Sequence, residues 1–287
     1  MTYFGFLLRF LVVPILVLAG LEVWAARKRG EGTVPKWPIW LMVVIAVVYT
    51  TPWDNYLVAT GVWWYDPDLV TGFVIGWVPI EEYTFFVLQP IMVGLWLAWW
   101  ARPLTPGPSP AEEGRRALSP HLPLPPEKGG QRWRWGGLGV AGLVWLIAVG
   151  ILAAGWKPGT YLGLELGWAL PPVMLQLAFG GDILRRHWKL TLLGVIPPTL
   201  YLSAMDSLAI FSGTWTIDPA QSTGIMLGGV LPVEEFVFFL LTNVLVTCGL
   251  VLVWAPESRE RIRALGELLY SRKTSSSASP HPSTTLE

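Results

Sequence analysis

The chain is 287 residues long, 53% hydrophobic and 14% charged, and it carries 18 tryptophans. This composition belongs to a polytopic membrane protein and excludes an ordinary soluble domain. Its 20 basic and 20 acidic residues give zero formal charge, so no nucleic-acid partner is implied, and the single cysteine, Cys248, excludes an intrachain disulfide or a cysteine-based metal cluster. Cys248 reads as a small apolar helix residue. His121, His187 and His281 fall in polar connections or the tail without ligand spacing, so no metal site is expected.

Seven stretches approach the roughly 20 apolar residues that a spanning helix needs. They are 3–25, 38–59, 73–101, 135–155, 160–181, 189–211 and 224–255, the last long enough to tilt or to emerge from the bilayer. The first reads as a span rather than a cleaved leader. Its apolar run is long, it lacks a basic n-region, and Arg27-Lys28-Arg29 follow it. Residues 102–134 are rich in Pro, Gly and charge and read as a disordered linker. The division that follows is 1–101, a first three-helix unit; 102–134, linker; 135–156, a connector helix; 157–255, a second three-helix unit; and 256–287, a tail. Within the tail, 256–273 is weakly amphipathic and basic, suited to a solvated or surface-lying helix, and 274–287 reads as disordered.

Basic residues set the orientation. The connections after the first, third and fifth spans and the tail together hold 18 of the 20 lysines and arginines; the intervening connections hold Lys157, and Arg9 lies within the first span. This alternation predicts a cell-membrane protein with its N-terminus outside and its tail in the cytoplasm.

The two units repeat one another. Asp54, Gly61, Trp63, Asp66, Pro67, Thr71 and Gly72 recur as Asp206, Gly213, Trp215, Asp218, Pro219, Thr223 and Gly224, at an offset of 152. Past one inserted residue near 229–231, Pro79-Ile80-Glu81-Glu82-Tyr83-Thr84-Phe85-Phe86 recurs as Pro232-Val233-Glu234-Glu235-Phe236-Val237-Phe238-Phe239. A period this long indicates a duplicated bundle. The expected fold is therefore an all-α integral membrane protein of seven transmembrane helices, two parallel three-helix repeats joined by a connector helix. An axis along the membrane normal would bring the two Glu pairs face to face, at similar depth, with Asp54, Asp66, Asp206 and Asp218 at the outer mouth of the cavity.

Adjacent carboxylates inside a membrane are expensive and mark a site. On a helix, neighbouring residues diverge by about 100°, so one Glu of each pair can enter a cavity while the other meets a helix or loop. The prolines are expected to bend the helices near Ile75 and Gly228, and Gly76, Gly228 and Gly229 to allow close helix approach. In a medium of low dielectric, a carboxyl resists ionisation, and two together resist more, so at least one should serve as a proton donor near neutral pH. Trp63, Trp215, Phe85, Phe86, Phe238 and Phe239 would supply aromatic faces that stabilise a cation without trapping it. Donor, acceptor and aromatic lining together suit carbocation chemistry on a hydrophobic substrate. A purely structural role for the Glu pairs is the plainer alternative, and Asp66-Pro67 and Asp218-Pro219 can equally cap the turns they open.

The duplicated Pro-x-Glu-Glu, each copy preceded by an Asp and a Gly-x-Trp…Asp-Pro loop, resembles the membrane-integral lycopene cyclase family in its fused, two-repeat form, over about 1–101 and 158–255. The resemblance implies redox-neutral, acid/base cyclisation of the linear ψ ends of lycopene to β-ionone rings. It places Glu81, Glu82, Glu234 and Glu235 as the catalytic acids and bases. The same reading gives Asp54, Trp63, Asp66, Phe85, Phe86, Asp206, Trp215, Asp218, Phe238 and Phe239 to substrate binding. No metal is expected, and no cofactor: no Gly-x-Gly-x-x-Gly follows a strand. The expected partners are a carotenoid entering laterally from lipid, the lipid itself, and other enzymes of the carotenoid pathway. An ε-ring or C50-carotenoid cyclase and a proton- or cation-coupled transporter remain open; a retinal-binding protein is disfavoured because the seventh span has no lysine.

Overall fold

The computed structural model describes residues 1–29, 34–101 and 128–277. Seven of its helices are long and apolar enough to cross a membrane: spans one (Tyr3–Lys28), two (Trp37–Ala59), three (Ile80–Trp100), four (Trp133–Ala153), five (Lys157–Arg186), six (Trp188–Phe211) and seven (Val233–Trp254). The chain is thus an all-α, membrane-embedded protein, as hydropathy predicts. Spans three and seven form the centre, with 50% and 61% of their apolar windows buried, against 17% for span one and 11% for span four. Span four packs chiefly on span five.

The helix carrying span four starts at Lys128, and a C-terminal helix runs Pro256–Ser277. Residues 128–134 and 274–277, expected in disordered segments, are therefore helical: adding a residue to an existing helix end avoids the cost of nucleation. The rest of the expected linker and tail, with His121 and His281, lies outside the described residues.

Both Glu-bearing helices begin later than hydropathy suggests. Residues 73–79 and 225–232 are hairpins, not helix. Strand β1 (Trp63–Tyr65) is followed by the hairpin β2 (Val74–Ile75) and β3 (Val78–Pro79). In the second half, β4 (Trp215–Ile217) is followed by β5 (Met226–Leu227) and β6 (Leu231–Pro232). Pro79 and Pro232 are the N-caps of spans three and seven. Proline is at home there because its missing N–H is one that a helix start leaves unpaired anyway. It therefore opens the helix instead of bending it near Ile75 or Gly228. Gly76 and the Gly228–Gly229 pair adopt positive φ (69°, 59° and 75°) to turn the hairpins; Gly76 also lies against Asn55 of span two, where a Cβ would clash, whereas Gly228 and Gly229 face open space. The residue inserted in the second copy lengthens its hairpin loop from Gly76-Trp77 to Gly228-Gly229-Val230.

The two halves join through these loops. Strands β1 and β4 pair antiparallel, Trp63 with Ile217, Trp64 with Thr216 and Tyr65 with Trp215. Asp66 N–H donates to the Thr214 carbonyl (3.2 Å) and Asp218 N–H to the Val62 carbonyl (2.8 Å), the same bond made in each direction. The start of each half is tied to its own loop: Tyr3 N–H to the Leu69 carbonyl (2.8 Å), and Tyr161 N–H to the Gln221 carbonyl (3.0 Å). Further along the bundle, the buried Gln89 Nε2 donates to Asn243 Oδ1 (2.8 Å) and Asn243 Nδ2 to Thr199 Oγ1 (3.0 Å). Beyond this clasp lies an apolar layer that includes Val93, Leu97, Leu250 and Val251, each fully buried.

Candidate active site

Pro79 and Pro232 place the following carboxyls in the first turn of a helix, where free N–H groups and the helix dipole favour anions. The two members of each pair then part company. Glu81 Oε1 accepts the Thr71 N–H (2.7 Å), and Glu234 Oε1 accepts both the N–H and the hydroxyl of Thr223 (2.7 Å each). Both are fully buried and fasten the loop that leads into their helix. The sequence places them as acids or bases that meet substrate, but neither lines the cavity.

Glu82 and Glu235 do. They border one chamber, about 40 Å³ of free volume, together with Asp206, Phe85, Phe238, Phe239, Trp63 and Trp215. That is room for only a few water molecules. The Tyr161 hydroxyl donates to Glu235 Oε1 (2.7 Å), and the Tyr3 hydroxyl makes the equivalent short bond to Glu82 Oε2. The Tyr65 hydroxyl adds a second bond to Glu82 Oε2 at 3.2 Å. Burial, and then the neighbouring Glu82 and Asp54, push the Tyr65 phenol well above its ordinary 10.0, so it stays a hydrogen-bond donor.

Of the remaining expected residues, Asp54 is buried beside this cluster, and neither Asp54 nor Asp206 accepts a hydrogen bond from any described residue. Asp54 does not line the chamber, and Phe86 packs behind it, its ring 6.4 Å from that of Phe85. Asp66 and Asp218 are not at its mouth: their Oδ1 atoms cap turns by accepting the N–H of Asp68 (3.0 Å) and Ala220 (2.9 Å). Short side chains that bond their own backbone two residues on serve the loop.

Aromatic rings make up most of the wall, backed by Trp53 and Trp168. Phe238 stacks on Trp53 (5.8 Å between centroids), which stacks on Trp168 (4.5 Å), while Tyr3 lies 4.9 Å from Trp215 and Trp63 lies 5.2 Å from Tyr161. Among the described residues, no group of three or more His, Cys, Asp or Glu is arranged to hold a metal ion.

Four residues at this site escape the sequence reading: Tyr3, Phe6, Tyr65 and Tyr161. Two had a signal. Tyr3-Phe-Gly5 and Tyr161-Leu-Gly163 form a further repeat at an offset of 158, out of step with the 152 found downstream. Tyr65 had none, because its repeat partner is Ile217.

Two hydrogen-bonded carboxyls face one largely aromatic chamber inside a membrane-embedded helical bundle. Comparison with known proteins gives it a family. The lycopene cyclase family model matches residues 2–100 and 158–253. A lycopene beta-cyclase of Halobacterium salinarum (strain ATCC 29341 / DSM 671 / R1) is 37% identical over 242 residues, covering 84% of this chain and 91% of that protein. A bifunctional lycopene cyclase/phytoene synthase of Podospora anserina is 35% identical over 210 residues, 73% of this chain but 34% of that protein. One of Aspergillus niger is 35% identical over 217 residues, again 34% of its length. No solved structure matches. The chain belongs to the lycopene cyclase family.

Proposed function

We infer that this protein is a lycopene β-cyclase, closing the linear ends of lycopene to β-ionone rings. The observation that carries the reading is that Glu82 and Glu235, one from each half, open into a single chamber walled by aromatic rings. A carboxyl proton adds to the terminal double bond and leaves a tertiary cation. The next alkene attacks that cation and closes the ring, and a carboxylate removes a proton to restore a double bond. One proton enters and one leaves, so the reaction itself requires no oxidant or reductant. Aromatic faces stabilise the passing cation, and the phenol hydroxyls hold both carboxyls in place. Glu82 and Glu235 are the acid–base pair. Glu81 and Glu234 hold the loops behind them. Phe85, Phe238, Phe239, Trp63 and Trp215 line the substrate site.

A two-fold relation between the halves, along the membrane normal, accounts for the reciprocal β1–β4 register and supports two parallel three-helix repeats joined by span four. The basic-residue alternation supports a cell-membrane protein with the N-terminus outside, and a carotenoid reaches the chamber from the surrounding lipid. Transport fits less well: past the chamber, Gln89, Asn243 and Thr199 bond one another and an apolar layer follows.

The test is expression in a lycopene-accumulating host with chromatography of the pigments. Monocyclic and bicyclic β-ring products are expected, and also from purified protein in lipid without added flavin or nicotinamide. Unchanged lycopene in both settings would refute the reading.

A further inference from the structure

The two halves differ at one buried acid. Glu165 of span five is fully buried, and neither of its oxygens has a hydrogen-bond partner among the described residues. It lies four residues after Tyr161, on the same helix face. The ionisable groups that face it are Tyr161 on its own helix and Glu234 and Glu235 on span seven. The offset of 158 that matches Tyr3 with Tyr161 sets Leu7, also buried, in its place in the first half. The donors are unequal too: Glu82 accepts two phenol hydroxyls and Glu235 one.

Resting on the cyclase reading, we propose that Glu165 is a positioning residue that makes Glu235 the proton donor and leaves Glu82 the proton acceptor. Two carboxyls one phenol apart, with no cation between them, hold at most one negative charge. Asp54 beside Glu82 and Asp206 beside Glu235 are matched between the halves, so Glu165 is the one further carboxyl, and the second half retains a proton to give. Glu82, with two O–H donors aimed at one oxygen, is built to carry the charge. The Glu235 O–H bond breaks as a C–H bond forms on the terminal alkene carbon. After ring closure a ring C–H bond breaks and its proton forms an O–H bond on Glu82. That proton returns to Glu235 through the chamber, whose volume has room for water, and both carboxyls are reset.

The experiment compares the wild-type protein in liposomes with Glu165→Gln and with Glu165→Leu, which copies the first half. Initial rates of ring formation are followed against pH. Removing the neighbouring carboxyl should move the alkaline limb toward acid by on the order of one pH unit, with the acid end unchanged. Profiles parallel to wild type, whether lowered or not, would overturn the proposal, since a merely structural residue changes the height and not the limb. Whichever variant inserts is read in the same way. Infrared difference spectra of Glu165→Gln against wild type at neutral pH give a second readout. Loss of a protonated-carboxyl C=O band is expected, and loss of a carboxylate band would overturn the assignment. Wild-type protein that forms no rings defeats the cyclase reading but leaves the infrared result standing.

Discussion

Glu81→Gln and Glu82→Gln make the same chemical change on adjacent residues, and the structure gives them opposite consequences. In Glu81→Gln the side-chain carbonyl still accepts the Thr71 N–H, now 2.7 Å from a carboxylate oxygen. The acceptor changes from a carboxyl to an amide oxygen, a loss of about 1 kcal/mol in stability, with turnover kept. In Glu82→Gln the oxygen facing the chamber can no longer exchange a proton. A positioned acid or base contributes roughly 10²–10⁴-fold, or about 3–5 kcal/mol of barrier at about 1.4 kcal/mol per factor of ten. Reconstituted variants are assayed for ring formation at saturating lycopene, and their unfolding in detergent is followed by tryptophan fluorescence. Glu82→Gln should unfold like wild type and lose turnover; Glu81→Gln should do the reverse. Equal losses of turnover in the two variants would refute the division of labour, as would Glu82→Gln retaining activity within about tenfold of wild type. The same contrast is expected between Glu234 and Glu235.

Thr223→Val should destabilise by about 1.5–3 kcal/mol, because it removes the hydroxyl bond to Glu234; Thr71→Val, which removes no such bond, should stay within about 0.5 kcal/mol, and equal shifts in denaturant midpoint would count against the assignment. Asn243→Leu should cost about 1–3 kcal/mol by stranding the Gln89 amide, and the Gln89→Leu/Asn243→Leu double variant should recover most of it in the same melt. The C-terminal helix should be acid-resistant. Glu257 lies 3.5 Å from His187 Nε2 and 3.1 Å from Arg186 Nη1, and these contacts, His187 foremost, hold its carboxyl down at about 2 from an ordinary 4.5. A depressed acid stabilises fully above its unfolded value, and that contribution disappears as pH falls through the folded value. Hydrogen exchange across 256–270 should therefore hold steady from pH 7 to about 5 and rise between about 4.5 and 2; release at pH 6 would show that Glu257 does not anchor this end.

What the sequence made legible was whatever composition or repetition amplifies. Seven spans follow from hydropathy, and the Glu pairs stand out because two acids inside each of two apolar runs are conspicuous. The 100° divergence of neighbouring residues anticipated that each pair would split between cavity and loop. Hydropathy misled where apolar strands adjoin apolar helices: Phe73 to Pro79 reads as part of a span but is a hairpin, because positive-φ Gly76 turns it and Pro79 opens the helix. Repetition, in turn, conceals asymmetry. Tyr65 and Glu165 answer to Ile217 and Leu7, so matching the halves passes over both. Asp66 and Asp218 show the converse, since a repeated Asp-Pro marks a repeated turn as readily as a repeated site.

Burial alone therefore does not separate the carboxyls that line the chamber from those that do not. Glu81, Glu234, Asp54, Asp206 and Glu165 are as buried as Glu82 or Glu235, or more so. What separates them is the source of their hydrogen bonds. Glu81 and Glu234 take theirs from a threonine of the preceding loop, bonds that form with the fold and cannot be released without unfastening it. Glu82 and Glu235 take theirs from phenols that themselves line the chamber, leaving an oxygen for the substrate side. A phenol oxygen can rotate, donate and accept in ways a backbone N–H cannot, so it can hold a carboxyl in either protonation state. A group that must cycle between acid and base needs a partner of that kind, and a group that only closes a loop does not.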